Sequence, residues 1–197
     1  MAFPSKPTAP PDQADQAPPQ APQAPQPPPT PDAAQQPQPG APNDPSQSVD
    51  PVLPLLSLAA TVKAAELWFH AAHHAVAGVS FVGDHALLGD IYTKAGAEFD
   101  SLVERAVGLS GIRAVAEPLA LLSAAARKLQ EWPSPVDVTD TLMAAAMQVN
   151  QALVDACDGA AATMEQSGLL TRGTDNMLAQ MSDDHEGFAY KLGQRNG

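Results

Sequence analysis

From Asp50 onward apolar residues recur at helical spacing, whereas the forty-nine positions before it show no period at all. Asp50 is placed to cap a first helix, with Pro51 in its first turn and Leu, Val and Ala recurring to about Val76. Gly78 and the small residues around Phe81 break that run. Asp84 then caps a second helix over His85 to about Leu109, closed by Ser110 and Gly111. A shorter helix is expected from Glu117 to Gln130, with Pro118 in its first turn and the Trp132, Pro133, Ser134, Pro135 run as its stop. Asp137 or Thr139 opens a third long helix to Gln166, where Ser167 and Gly168 interrupt it, and a fourth covers Thr174 to Leu192. The pattern therefore predicts an all-α four-helix bundle with a short helix in the crossover between its second and third long helices.

Composition divides the chain into a tail, residues 1–50, and one folded domain, residues 51–197. The tail holds 16 of the 21 prolines with many Gln and Ala, and its one aromatic is Phe3. Such a segment cannot bury enough apolar surface to offset its chain entropy, so it is expected to be a disordered tether or a docking strip for a partner. A net charge of −12 and a pI near 4.5 argue against a sequence-independent grip on nucleic acid, which needs clustered Lys and Arg. Cys157 is the sole cysteine, so no internal disulfide can form. No apolar run approaches the roughly 20 residues that span a bilayer, and no apolar leader follows Lys6, so the expected setting is cytoplasmic, without a membrane.

The candidate chemistry lies at the junction of the first two helices. His70, His73 and His74 close the first, while His85, Asp100 and Glu104 lie on the second, giving the imidazole and carboxylate donors that suit iron. At 1.5 Å per residue, His85 and Asp100 are about 22 Å apart along one helix, so a single chain cannot bring them to one ion. All three second-helix residues nevertheless project within about 100° of one another. Two copies meeting antiparallel across a two-fold axis would set His85 of one against Asp100 and Glu104 of the other, and produce two equivalent sites.

These residues resemble the ferroxidase spacing of the Dps-type miniferritins: His73, His85 twelve residues on, then Asp100 and Glu104 fifteen and nineteen beyond. Gly78, Phe81 and His85 are similar to that family's turn between the first two helices, and Glu104 to Gly111 to its end of the second helix. Leu178, Ser182, Asp184 and Phe188 fall on a similar fourth-helix pattern. The resemblance implies a ferritin-like fold and a homo-oligomer, a dodecamer in that family. It further implies ferrous iron oxidised by peroxide or dioxygen at interfaces between subunits, with ferric oxide stored inside. His73, His85, Asp100 and Glu104 would be its catalytic and metal-binding residues, with Glu165, Asp175 and Asp183 lining paths for iron.

Two positions depart from the family. Gly89 stands where an Asp ligand is usual, and Asp90, one residue on, could replace it only through a local distortion of the helix. Restoring Asp at 89 is accordingly expected to raise ferrous affinity. His74 replaces the family's Trp; either His74 is itself a ligand or Trp68 serves the redox role from another face. The Lys-rich tail that holds DNA in many members is absent, since this tail has one Lys against five Asp. Two other functions fit the same sequence: a catalytically weak shell that has lost one iron, and a helical adaptor whose Pro-rich tail recruits a partner. Met143, Met147 and Met164 are expected core residues.

Overall fold

The computed structural model describes residues 52–196, all within the second of two units, Ser46–Gly197. The Pro/Gln-rich tail and the expected cap at Asp50 and Pro51 lie outside the described residues. Five α-helices follow one another: α1 (Leu53–Ala75), α2 (Phe81–Ser110), α3 (Pro118–Leu129), α4 (Leu142–Gln166) and α5 (Arg172–Asn196). Short 3-10 turns precede α3 (Arg113–Ala116) and α4 (Thr139–Thr141), and the described residues contain no strand. Helix α1 packs along α2, and α4 along α5. The two pairs meet through α1 and α4, with α3 laid against α1. This is the four-helix bundle with an extra crossover helix that the periodicity implied.

Helix ends show where local chemistry decided the boundaries. Gly111 takes a left-handed conformation (φ 68°) and returns its N–H to Val107, which stops α2. Gly168 (φ 66°) does the same for α4: Leu169 donates to Met164 and Gly168 to Glu165, the paired bonds of a Schellman turn. Glu117 caps α3 by accepting from the Ala120 amide at 2.7 Å, with Pro118 at the first helical position. Some boundaries differ from expectation: α4 opens at Leu142 rather than at Asp137 or Thr139, and α5 extends beyond the expected Thr174 to Leu192 at both ends. Helix α2 begins at Phe81 rather than His85, so Asp84 lies inside its first turn and is no cap. Its carboxylate is buried and instead accepts from Arg195 of α5 at 2.8 Å, an ion pair that periodicity could not foresee.

Helix α1 is apolar around most of its circumference, with one polar stripe of Lys63, Glu66, His70, His73 and His74, which suits the helix that touches three others. Leu55, Leu58, Trp68 and Phe69 interlock with Leu88, Ile91 and Leu102 of α2, Leu153 and Met164 of α4, and Leu178 and Leu192 of α5. Each fully buried side chain of this size contributes about 1.5–3 kcal/mol. Met143 and Met164 belong to this core and Met147 packs against it, as expected. The indole N–H of Trp68 donates to the Pro133 carbonyl at 2.7 Å, tying the crossover to α1.

Candidate metal-binding site

His73, in the last turn of α1, and His85, in the second turn of α2, stack face to face with ring centroids 3.6 Å apart. Gly78 makes this approach feasible: its φ of 97° lets the chain reverse within five residues. Each ring also holds the other's backbone. His73 Nδ1 donates to the His85 carbonyl at 2.8 Å, and His85 Nδ1 to the His73 carbonyl at 2.9 Å. A carbonyl can only accept, so both Nδ1 atoms carry hydrogen, and in the neutral ring the lone pair then resides on Nε2. Bonding of one imidazole nitrogen to a carbonyl is how proteins fix the tautomer and orientation of a metal-binding histidine. The twin bonds thus prepare two Nε2 donors side by side.

Aromatic neighbours complete the cluster. Phe81 stacks on His85 at 4.9 Å, and Tyr92 meets the edge of His73 at 5.3 Å. Sequence reasoning missed Tyr92, although it lies seven residues from His85 and hence on the same face of α2. Trp68, the candidate redox residue, is only 1% exposed on the core side of α1 and makes no ring contact with either histidine. Position 89 is filled from outside: a Cβ there would lie 3.2 Å from His73 Nδ1 and 3.3 Å from its Cε1. The glycine lets His73 settle against α2, and an Asp at 89 would have to push that ring aside before it could add a ligand.

Asp100 and Glu104 are exposed on α2, and neither has a hydrogen bond or ion pair among the described residues. Glu104 borders a shallow open depression with Ser101, Arg105 and Met177. Within one chain both stand far from His73 and His85, as the helical rise required, and no group of three or more His, Cys, Asp and Glu gathers to hold a metal among the described residues. Helix α2 runs unbroken through Gly89 and Asp90, so Asp90 remains exposed a third of a turn away, without the distortion that would bring it to the pair. Glu165 and Asp175 share a depression at the α4–α5 turn with Arg172, and Asp183 is exposed farther along α5.

The bundle interior holds a polar cluster that sequence reasoning also missed. His185 of α5 is fully buried; its Nδ1 donates to Asn150 Oδ1 of α4 at 2.8 Å, and its Nε2 meets Glu98 Oε2 of α2 at 2.8 Å. Asn150 donates in return to the His185 carbonyl at 2.7 Å, which fixes the orientation of its amide. Glu98 Oε1 accepts no hydrogen bond and has the Lys94 ammonium 3.7 Å away. Lys94 in turn pairs with Asp184 at 2.5 Å, and that bond, ahead of the two nearby charges, raises its pKa against the opposing effect of burial. Cys157 is buried nearby, its thiol pushed up to about 12 chiefly by desolvation, then by the charges of Glu98 and Asp158. The signal was present: Leu178, Met181, His185 and Leu192 share one stripe, as do Ile91, Ala95, Glu98 and Leu102, so each polar residue occupies a core position.

No protein-family model matches the chain, and no curated protein matches it in sequence. Among solved structures it is similar to a Dps protein from Vibrio cholerae O1, described as a member of a broad superfamily of ferritin-like diiron-carboxylate proteins. The TM-score is 0.60 at 18% identity, over 77% of this chain and 91% of that one.

Proposed function

The fold is that of a ferritin-like helical bundle, and from it we propose that the chain is a Dps-type miniferritin, an oxidoreductase that binds ferrous iron between subunits, oxidises it and stores the ferric product inside a cage. The observation that carries this reading is the reciprocal bonding of His73 of α1 and His85 of α2, which presents two Nε2 lone pairs at one end of the helix that also bears the exposed, unpaired Asp100 and Glu104. Antiparallel pairing of two α2 helices brings Asp100 and Glu104 of a second copy to that histidine pair. Two imidazole nitrogens and two carboxylates then make a mixed N/O donor set suited to iron. The carboxylates neutralise its charge, and each ferrous ion gives one electron to peroxide or dioxygen as the substrate oxidant. The assembly is a homo-oligomer, a dodecamer on the Dps pattern, acting in the cytoplasm. No helix among the described residues is long and apolar enough to cross a membrane.

Gly89 favours a specific second reading. Because His73 lies against it, no carboxylate among the described residues joins the pair within the chain, and the site would hold one iron well and a second poorly, leaving a weakly catalytic shell. Anaerobic ferrous titration of the sized oligomer, followed by peroxide, tests both. Saturable binding and fast ferric oxide growth, lost in Asp100→Ala/Glu104→Ala, support the interfacial ferroxidase. Binding of one ion per site with slow oxidation supports the weak shell, and no binding above that of buffer overturns both.

A further inference from the structure

A second pair of histidines adjoins the proposed iron site, with the His74 ring set edge-on to His73 at 5.1 Å. His70 and His74 are one turn apart on α1, both exposed, with their Nε2 atoms 3.2 Å from each other. Neither ring makes another hydrogen bond among the described residues, whereas His73 and His85 are each bonded to a carbonyl. Two nitrogens bound to one ion at about 2.0–2.1 Å with a tetrahedral angle between them are about 3.3 Å apart, so the observed spacing is already that of two ligands on one metal. Small rotations of two exposed rings suffice to make the lone pairs converge. Tyr92 packs on His70 at 4.7 Å and limits the freedom of that ring, which lowers the entropy lost on binding.

We propose that His70 and His74, beside the His73–His85 pair and exposed in the single chain, form a site of their own for a borderline divalent transition ion, Zn2+ or Cu2+, with water in the remaining positions. Imidazole pairs suit these ions and do not suit Ca2+ or Mg2+, which take oxygen ligands. With two protein ligands the bound ion exchanges readily and keeps open positions. Both ligands come from one helix of one chain, so the pair is in place before assembly, and it does not require the iron reading.

The test is calorimetric Zn2+ titration of the full-length chain, with Cu2+ electron paramagnetic resonance as a second readout. The chain carrying His73→Ala and His85→Ala is expected to retain one Zn2+ site and a Cu2+ spectrum showing coupling to two imidazole nitrogens. Adding His70→Ala or His74→Ala is expected to weaken that site at least tenfold and remove one nitrogen coupling. Both residues are exposed, so helical circular dichroism should be unchanged. Loss of all Zn2+ binding in His73→Ala/His85→Ala, or wild-type affinity and an unaltered Cu2+ spectrum after His70 and His74 are both replaced, would overturn the proposal.

Discussion

Removing the Glu98 side chain tests how the bundle tolerates charge in its interior. The carboxylate is 4% exposed and the ring it meets, His185, is 0% exposed, so truncation leaves a buried imidazole nitrogen without its partner and opens a cavity between α2 and α5. Breaking a buried pair by deleting one member costs about 3–5 kcal/mol, because the surviving polar group is stranded away from water. For a chain of this size each kcal/mol moves the melting temperature by roughly 2–4 °C, so Glu98→Ala should melt about 10 °C lower. Glu98→Gln keeps the volume and one hydrogen bond, and should cost about 1–2 kcal/mol. His185→Ala combined with Glu98→Ala should cost clearly less than the sum of the two, since the residues share one network. Urea unfolding followed by circular dichroism at a fixed protein concentration measures all four, a constant concentration being necessary because assembly alters apparent stability. A loss below about 1 kcal/mol for Glu98→Ala would refute the reasoning and mean that water reaches this cluster in solution.

Other expectations follow from single contacts. Gly89→Ala places a Cβ within 3.2 Å of His73 Nδ1, so it should weaken ferrous binding in anaerobic titration while leaving the helix content unchanged. Cys157, with its thiol raised to about 12, favours the neutral form in the folded state. Its contribution is complete below its ordinary unfolded value near 8.5 and is lost as pH rises from there toward 12, by about 1.4 kcal/mol for each unit of pH in that window. Wild type should therefore lose stability relative to Cys157→Ala between pH 8.5 and 10.5, and its thiol should react with a disulfide reagent at pH 8 only after urea is added. Lys94 shifts in the same direction, so its ion pair with Asp184 persists at neutral pH, and Lys94→Met should destabilise by at most about 1 kcal/mol because the ammonium is partly exposed. Gly111→Ala should cost about 1 kcal/mol in the same urea assay, since alanine is strained at a φ of 68°.

The sequence by itself determined the number, order and kind of elements in the folded part. Apolar spacing of 3.6 is a property of each helix alone, and glycine at a left-handed helix stop is a local constraint, so Gly111 and Gly168 ended α2 and α4 where expected. It also singled out His73 and His85, through their resemblance to the Dps spacing, and the turn at Gly78 stacks the two rings. Only the tertiary structure decided what each polar group meets. Asp84 reads as a helix cap until α5 brings Arg195 to it. Glu98, Asn150 and His185 occupy core stripes on three helices, but periodicity fixes a residue's direction and not the height at which helices are set against one another, so nothing in one helix reveals its partner. The stack of His73 on Gly89 arises for the same reason: the empty space left by a missing side chain acquires meaning only when a neighbouring helix fills it.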